Sequence, residues 1–177
     1  SKGFDTIVNS RISPDQPLWF QIYVNPDRDI VLDQIKACEA CGMKALCITV
    51  DSAVAGKRER DLRNKIKRQI EKDLAAAKAA TGKARKAGTY ANRDPALNWK
   101  DVKWFQQNTK MKIVIKGVQT GLDAVEAAKA GCHAVILSNH GGRNLDTSRS
   151  GIEILPEVMR DLREAGLDKK IDVFVIV

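Results

Sequence analysis

The sequence lacks any apolar run long enough to cross a lipid bilayer, and no charged-then-apolar signal segment follows Ser1. Its apolar stretches, such as residues 45–50, have the length of buried strands. We therefore expect neither a membrane span nor a secretion signal. A chain of 177 residues with 44% apolar side chains can bury one hydrophobic core, which predicts a single domain over residues 1–177.

Cysteine is scarce, and the four thiols do not form a clear framework. Two disulfides, a metal site and a redox-active Cys38/Cys41 pair are the alternatives that such positions raise. Cys38 and Cys41 fall at i, i+3 of a helical stretch, while Cys47 and Cys132 lie in or beside apolar strand segments. We favour four free thiols, no metal, and an intracellular, reducing compartment such as cytoplasm, peroxisome or mitochondrion.

The net charge of +8 comes from one segment. Residues 57–88 carry twelve Lys or Arg against four Asp or Glu, and the remaining residues carry eighteen of each sign. The body of the fold is therefore neutral, and composition does not favour a nucleic-acid partner. The Lys/Ala-rich stretch has helix propensity but little to bury, which predicts an exposed basic insertion at residues 57–95.

Short apolar runs alternate with helical patterns along the rest of the chain. The runs are typical of buried parallel strands and cover residues 18–24, 45–50, 112–115, 134–137 and 171–177. Asp29 is predicted to cap the first intervening helix. The side chains of this helix that are predicted to face the core are Val31, Ile35 and Cys38, and Gly42 follows the end of the helix.

Two further helices are predicted near the C-terminal half. Thr120 and Asp123 form a capping-box-like pair ahead of a helix that places Leu122, Val125 and Ala128 inward. A last helix over residues 152–165 turns its apolar side chains to the core: Leu155, Val158, Met159 and Leu162. A short helix begins near Trp99 and Trp104, and we expect both rings to anchor the core.

Strand–helix alternation implies right-handed βαβ crossovers and a parallel sheet, either a closed barrel or an open doubly wound sheet. Periodicity does not choose between them. No glycine-rich dinucleotide fingerprint follows any strand, which favours the barrel. Five units are too few to close one, so the predicted fold class is α/β, a partial (βα)8 TIM barrel with an insertion.

Candidate chemistry is concentrated in residues 137–146, directly after a predicted strand. His140, two glycines and Arg143 meet there, so a potential base lies three residues from a guanidinium that can clamp a carboxylate. This is the arrangement that removal of a proton beside a carboxylate requires.

Other strand ends also carry polar groups, and in a barrel they would share one face. Gln21 and Tyr23 alternate on the first strand, Thr49 and Asp51 end the second, and Lys116 follows the third. Taken singly, each has a plain structural alternative, such as a loop histidine, an ion pair or a core tyrosine. Together they indicate a single site.

Five ordered motifs resemble the FMN-dependent α-hydroxy-acid dehydrogenase family, which includes glycolate oxidase, lactate oxidase, mandelate dehydrogenase and cytochrome-c-reducing lactate dehydrogenases. They are Trp-Phe-Gln-Ile-Tyr-Val at 19–24, Ile-Thr-Val-Asp at 48–51, Arg-Glu-Arg-Asp at 58–61, Val-Ile-Lys-Gly-Val at 114–118 and Ser-Asn-His-Gly-Gly-Arg at 138–143. The resemblance covers nearly the whole chain except the insertion, and it corresponds to family strands 3 to 7.

The resemblance implies an enzyme that oxidises a small L-2-hydroxy acid, of lactate or glycolate type, to the 2-oxo acid. His140 would be the base, with Asp51 hydrogen-bonded to it. Arg143 would hold the substrate carboxylate and Tyr23 its hydroxyl, with Arg58 a second arginine near the substrate. Removal of the Cα hydrogen as hydride or as proton is left open, as is the final electron acceptor.

FMN is the implied cofactor. Lys116 would lie against the flavin edge that gains negative charge on reduction, and Gln21, Thr49 and Ser138 match the family's other flavin contacts. The resemblance also implies a homo-oligomeric, tetramer-type parent.

Parts of the family pattern are not in this sequence. The Asp-Gly-Gly expected after residues 173–175 is absent, as are the first two strands and the eighth, and Ala53 replaces a usual proline. We therefore expect an internal fragment that alone binds FMN weakly and turns over little. The alternative from another class is a non-catalytic partial barrel that binds an anionic partner through the basic insertion. Other FMN barrels, acting on nucleotides or isoprenoid intermediates, lack the Ser-Asn-His-Gly-Gly-Arg pattern.

Overall fold

The computed structural model describes residues 4–13, 15–53, 63–64 and 93–176. Its strands are β1 (Trp19–Ile22), β2 (Ala45–Thr49), β3 (Lys112–Val118), β4 (Ala134–Leu137) and β5 (Asp172–Val175). Its helices are α1 (Phe4–Asn9), α2 (Arg28–Ala40), α3 (Trp99–Asn108), α4 (Gly121–Lys129) and α5 (Gly151–Glu164), with a 3₁₀ turn at His140–Gly142. All five predicted strands are present, and α1 was not predicted.

The five strands form one parallel sheet in the order β1-β2-β3-β4-β5. Parallel neighbours need crossover connections, which α2, α4 and α5 supply, while α3 lies in the longer connection between β2 and β3. Every residue of β2 and β4 is buried, as expected where both faces of a strand are covered.

One face of the sheet packs against the helices, and we call this packing the helix-facing core. Alternate residues of each strand point into it, such as Leu46 and Ile48 on β2 or Ile113 and Ile115 on β3. The helices contribute buried side chains at helical spacing: Val31, Ile35, Cys38, Phe105, Ile154, Val158 and Leu162. The burial of Val31, Ile35 and Cys38 confirms the predicted inward face of α2. On α5, Val158 and Leu162 are buried as predicted, whereas Leu155 and Met159 are only partly buried and Ile154, which was not predicted, is buried.

The other face carries a smaller apolar cluster and is curled. Ala45, Cys47, Val114, Ala134 and Ile136 form this inner cluster. The rings of Trp19 on β1 and Phe174 on β5 belong to opposite edge strands, yet their centroids lie 5.2 Å apart. A flat sheet would hold the edge strands about 19 Å apart at the usual strand spacing, so the sheet curves as part of a barrel wall. The predicted unclosed parallel α/β sheet is confirmed.

Helix starts were predicted with mixed success. The Thr120 side chain accepts a hydrogen bond from the Asp123 amide, which confirms the predicted cap of α4. The prediction that Asp29 caps α2 is wrong, because Asp27 is the cap and its carboxylate accepts from the Asp29 amide. Both aspartates are suitable in type, and only the one whose carboxylate reaches the second helical amide can serve as the cap.

Two predicted core residues are exposed. Leu122 is 74% exposed, because the face of α4 that carries the small residues Gly121, Ala124 and Ala127 packs inward instead. Gly121 lies so close to Asp161 of α5 that a Cβ at position 121 would clash with it. Trp99, in the first turn of α3, is 36% exposed. The aromatic side chain of α3 that is buried in the helix-facing core is Phe105. Trp104 is partly buried and packs edge-to-face on Phe105.

Three other expectations concern the basic insertion, the cysteines, and possible membrane spans or metal sites. The basic insertion at residues 57–95 lies largely outside the described residues. The four cysteines are free thiols in the structure. In the part of the chain that the structure describes, no helix has the length and apolar character of a membrane span, and no His, Cys, Asp and Glu residues group as a metal site.

Candidate active site at the carboxyl ends of the strands

Polar side chains collect where the parallel strands end. Tyr23 follows β1, Asp51 follows β2, Lys116 lies near the end of β3, and Ser138 and His140 follow β4. Because the carboxyl ends of parallel strands lie at one edge of a sheet, residues from four separate segments come together there. A cavity of about 230 Å³ opens at this edge, lined by Gln21, Tyr23, Lys116, Ser138, His140, Gly141, Arg143 and Ile176.

His140 is the centre of a hydrogen-bonded chain. Its Nδ1 lies 2.9 Å from Asp51 Oδ1, and its Nε2 lies 3.2 Å from the Tyr23 hydroxyl. The carboxylate can only accept, so Nδ1 carries the hydrogen and donates, which leaves Nε2 as the acceptor for the Tyr23 O–H. The imidazole is 8% exposed, so water competes little for these bonds.

Asp51 is held from several sides. Its side chain is 5% exposed, and Lys116 Nζ lies 4.0 Å from its Oδ2. Within the described residues, Oδ2 accepts no hydrogen bond. Gly117, at φ 103° beside an irregularity of β3, is so close that a Cβ there would overlap Asp51 Cγ. A side chain at position 117 is therefore incompatible with this placement of the carboxylate.

The loop after β4 explains the Asn-His-Gly-Gly sequence. Ser138 Oγ accepts from the His140 amide at 3.1 Å, and Asn139 Oδ1 accepts from the amides of Gly141 and Gly142. His140 itself has φ 59°, a left-handed conformation that is strained for a residue with a Cβ. The surrounding bonds hold the backbone in this conformation and direct the imidazole toward Asp51.

Arg143 projects from the same loop into the cavity mouth. Its Nε donates to the His140 carbonyl at 2.9 Å, and the residue is exposed. In the described part of the chain its two terminal nitrogens have no partner, so the planar fork is available for a carboxylate.

The donor set on the cavity wall suits a planar ring with polar edges. Gln21 Nε2 donates to Thr49 Oγ1 at 2.9 Å, which leaves the Gln21 carbonyl oxygen for another partner. The Lys116 side chain is 12% exposed, and its ammonium has only the 4.0 Å contact to Asp51 among the described residues. A nearly buried cation with unused donors fits a cofactor edge that gains negative charge.

The thiol beneath this wall is not part of the chemistry. Burial raises the pKa of the Cys47 thiol to about 11, although the nearby Lys116 ammonium lowers it. Cys47 therefore stays a neutral thiol in the inner cluster and packs as a small apolar side chain.

The structure brings together eight of the nine predicted site residues, and Arg58 lies outside the described residues. It also reveals residues that the sequence did not indicate. Asn144 donates to the Asp51 carbonyl at 2.7 Å, and its position next to Arg143 was the only available signal. The Arg93 guanidinium lies over the Tyr23 ring, 4.3 Å from its centroid, from a position seventy residues away in sequence.

Comparison with known proteins places this geometry in a family. Residues 2–175 match the family model described as FMN-dependent dehydrogenase. An L-lactate dehydrogenase (cytochrome) of Wickerhamomyces anomalus is 45% identical over 177 residues, which is 99% of this chain and 30% of that protein. An L-lactate oxidase of a Nostoc species is 36% identical over 161 residues, covering 86% of this chain and 44% of that protein.

Solved structures agree. The recombinant flavin-binding domain of baker's yeast flavocytochrome b2 superposes with a TM-score of 0.80 at 40% identity, over 99% of this chain and 40% of that one. This chain therefore spans less than half the length of these relatives.

Proposed function

The chain belongs to the FMN-dependent dehydrogenase family, and on that premise we propose that it supplies the catalytic residues of an enzyme oxidising a small L-2-hydroxy acid to the 2-oxo acid. The observation that carries the proposal is the Tyr23–His140–Asp51 hydrogen-bonded chain, with Arg143 on the same cavity. A base, its orienting carboxylate, a hydroxyl-binding phenol and a carboxylate-binding guanidinium are the groups this oxidation needs.

The proposed base is His140 Nε2. With the hydrogen on Nδ1 donated to Asp51, the lone pair lies on Nε2, where it accepts from the Tyr23 hydroxyl before substrate binds. The carboxylate at 2.9 Å stabilises the imidazolium that forms when Nε2 takes a proton. Oxidation removes the hydroxyl hydrogen and the Cα hydrogen together with two electrons. In either order of removal one proton goes to His140, so its role does not depend on that order.

Arg143 and Tyr23 orient the substrate in this proposal. The two terminal nitrogens of Arg143 form a bidentate pair with the substrate carboxylate, and Tyr23 Oη binds the substrate hydroxyl. Since Tyr23 Oη and His140 Nε2 lie 3.2 Å apart, a hydroxyl bound at one lies within reach of the other. Arg58 is proposed as a second substrate arginine from the sequence resemblance alone.

FMN accepts the two electrons when bound. Lys116, Gln21, Thr49 and Ser138 are the residues proposed to hold it, and Lys116 would offset the negative charge that reduction adds. Ser138 has a double role here, because its hydroxyl already positions the His140 amide.

The relatives guide the proposed substrate class. They include proteins described as L-lactate dehydrogenase (cytochrome), L-lactate oxidase and 2-hydroxyacid oxidase. We accordingly propose a 2-hydroxy acid of lactate or glycolate type. A homo-oligomeric parent and a reducing intracellular compartment are proposed with it, the latter because all four thiols are unpaired.

The 177-residue segment alone should be a poor enzyme. It spans 29% to 46% of its curated relatives, and within the described residues β1 and β5 have no outer strand partner. We propose one incomplete barrel domain, with residues 57–95 as a basic insertion, that binds FMN weakly without the rest of the barrel.

The test uses the native protein that contains this sequence, purified with its flavin. Anaerobic addition of L-lactate or glycolate should bleach the flavin absorbance and yield one 2-oxo acid per two electrons, and D-lactate should do neither. A protein that binds no flavin, or a reduced flavin without any 2-oxo acid, contradicts the proposal. Salt-sensitive binding of polyanions without oxidation would instead support a binding module.

A further inference from the structure

Arg93 packs against the candidate active site without being part of the proposed reaction. It lies in the segment that precedes α3 and is half-buried. Its guanidinium stacks on the Tyr23 ring at 4.3 Å from the centroid, and its Nη1 donates to the carbonyl and the hydroxyl of Ser52, which follows β2. Three contacts therefore fix this cation beside the phenol that faces His140.

The charge of Arg93 has no counter-charge in the described part of the chain. The adjacent Asp94 is already taken, because its carboxylate accepts from Arg28 at 2.7 Å. Arg28 provides the contrast, since it also stacks on an aromatic ring, Trp104, but pairs with both Asp94 and Asp101. The ring contact and the hydrogen bonds to Ser52 hold the Arg93 guanidinium but leave its charge without a counter-charge among the described residues, so an anion bound beside it would be favoured.

Tyr23 borders two cavities. One is the 230 Å³ cavity that contains His140 and Arg143. The other, of about 50 Å³, has as its polar lining Tyr23, Thr49, Ser52, Arg93 and Asp94, and the Asp94 carboxylate is already paired with Arg28. A water molecule occupies about 30 Å³ of liquid, so the smaller cavity has room for a group of a few atoms beside the guanidinium. Two arginines thus flank the Tyr23–His140 pair, one for each cavity.

We propose that Arg93 is a specificity-determining residue that binds a second anionic group on the substrate's side chain. This inference rests on the proposed function, in which Arg143 holds the carboxylate next to the reacting carbon. Lactate and glycolate, which have no second carboxylate, would then remain substrates but not the preferred ones. The preferred substrates would be L-2-hydroxydicarboxylic acids, whose distal carboxylate accepts hydrogen bonds from the Arg93 nitrogens that have no partner among the described residues.

The experiment compares kcat/KM of the FMN-loaded native protein for L-lactate, L-2-hydroxysuccinate and L-2-hydroxyglutarate. The two dicarboxylates differ by one methylene, so they also measure how far the second carboxylate must reach. Arg93→Gln removes the charge, Arg93→Lys keeps the charge but loses the planar fork, and Arg163→Gln on the exposed end of α5 controls for one lost positive charge.

The wild type should prefer one dicarboxylate over lactate about tenfold or more. Arg93→Gln should lower kcat/KM for that dicarboxylate by about ten- to a hundredfold, mainly through KM, the range expected for a charge-assisted hydrogen bond. Its kcat/KM for lactate should change less than about threefold, Arg93→Lys should fall between, and Arg163→Gln should match the wild type.

Two results would overturn the inference while leaving the proposed function intact. One is a wild type that oxidises lactate better than both dicarboxylates. The other is an Arg93→Gln variant that loses activity equally on all three substrates, which indicates that Arg93 only supports Tyr23. If no 2-hydroxy acid is oxidised, the proposed function fails. Titration calorimetry with 2-oxoglutarate and pyruvate then tests whether Arg93 binds a second carboxylate. Tighter binding of 2-oxoglutarate than of pyruvate that is lost in Arg93→Gln supports the inference, and equal binding refutes it.

Discussion

The helix-facing core and the carboxyl ends of the strands belong to the same sheet but are built differently. In the core, apolar side chains such as Ile35, Leu46 and Ile154 are fully buried and contain no polar group to satisfy. Every buried polar residue of the described chain lies at or just beyond a strand's carboxyl end: Asn25, Thr49, Ser52, Ser138 and His140.

The carboxyl ends also carry the unfavourable features of the molecule. Among the described residues, the buried side-chain atoms without a hydrogen-bond partner are Asp51 Oδ2 and Asn144 Oδ1. His140 has a positive φ, and the Lys116 ammonium is nearly buried. Strain and unmet hydrogen bonds concentrate at functional sites because they are tolerated only where a ligand or a reaction uses them. The core should therefore determine stability, and the carboxyl ends should determine activity.

His140→Asn is expected to produce the largest effect and to separate the two regions most sharply. Turnover should fall by about 10²- to 10⁴-fold, the usual contribution of a general base. Stability should be retained, because asparagine adopts the φ of 59° at this position more readily than most residues. Steady-state kinetics and thermal unfolding of the same preparation measure both effects.

His133→Asn is the matched control. His133 lies before β4, away from the cavity, and its Nδ1 accepts from the Ile113 amide at 3.1 Å. Burial and the nearby Lys112 cation lower the pKa of His133, so it stays neutral near pH 7. This variant should keep turnover, and a loss equal to that of His140→Asn would contradict the assignment of the base.

Ile154→Ala tests the opposite half of the comparison. Ile154 on α5 is 0% exposed, so truncation should cost about 2–5 kcal/mol of the free energy of unfolding while turnover per folded molecule stays unchanged. Ile152, two residues away on the same helix and 57% exposed, gives the control Ile152→Ala, which should stay within about 0.5 kcal/mol. Denaturant titration checks both, and equal effects would contradict the described burial of α5.

The helix-facing core and the carboxyl ends of the strands also differ in how much of each can be predicted from the sequence. The strands and inward helix faces were predicted because apolar periodicity records burial directly, as at Val31, Ile35 and Cys38. The predictions for Leu122 and Trp99 failed because the face that a helix buries depends on the element packed against it. In α4, close packing of Gly121 against α5 turns the face with the small residues inward and leaves Leu122 exposed. No single-sequence pattern records such tertiary contacts.

The site residues that belong to the ordered motifs were predicted from the sequence. Contacts made by residues outside the motifs, or by the backbone, were missed. Asp51 was predicted by resemblance as the partner of His140, and Tyr23 as a substrate-binding residue of the same site. The structure brings both within hydrogen-bond distance of the imidazole. Arg93 was missed because it approaches Tyr23 from a distant segment and belongs to no quoted motif. The close approach of Gly117 to Asp51 was missed because a glycine beside a strand end does not show what its missing Cβ makes room for.

Gly117→Ala tests whether backbone geometry connects the two regions. The new Cβ would overlap Asp51 Cγ, so the carboxylate must move and its 2.9 Å bond to His140 must break. We expect a loss of about 1–3 kcal/mol in stability from the strained φ of 103°. Turnover should fall as well, because the carboxylate no longer orients the imidazole.

Gly42→Ala is the control for strain alone. Gly42 also has a positive φ, 71°, but no atom lies within 4 Å of the position that a Cβ would take there, so only the backbone penalty of about 1–2 kcal/mol applies. It should lower stability and leave the turnover per folded molecule unchanged. If Gly117→Ala behaves in the same way, the close approach to Asp51 has no role in positioning the carboxylate.

Thiol labelling gives the smallest expected effect and tests whether both faces of the sheet exclude solvent. Burial raises the pKa of Cys38 and Cys132 in the helix-facing core to about 12, and that of Cys47 in the inner cluster to about 11.

Because the folded state holds these protons more tightly than the unfolded chain, stability should decline as pH rises above about 9, where unfolded thiols ionise. At pH 8 a thiol reagent should label half-buried Cys41 first and the other three only on unfolding. Mass spectrometry of peptides assigns each site. Fast native labelling of Cys47 alone would show that the inner cluster is open to solvent while the helix-facing core remains closed.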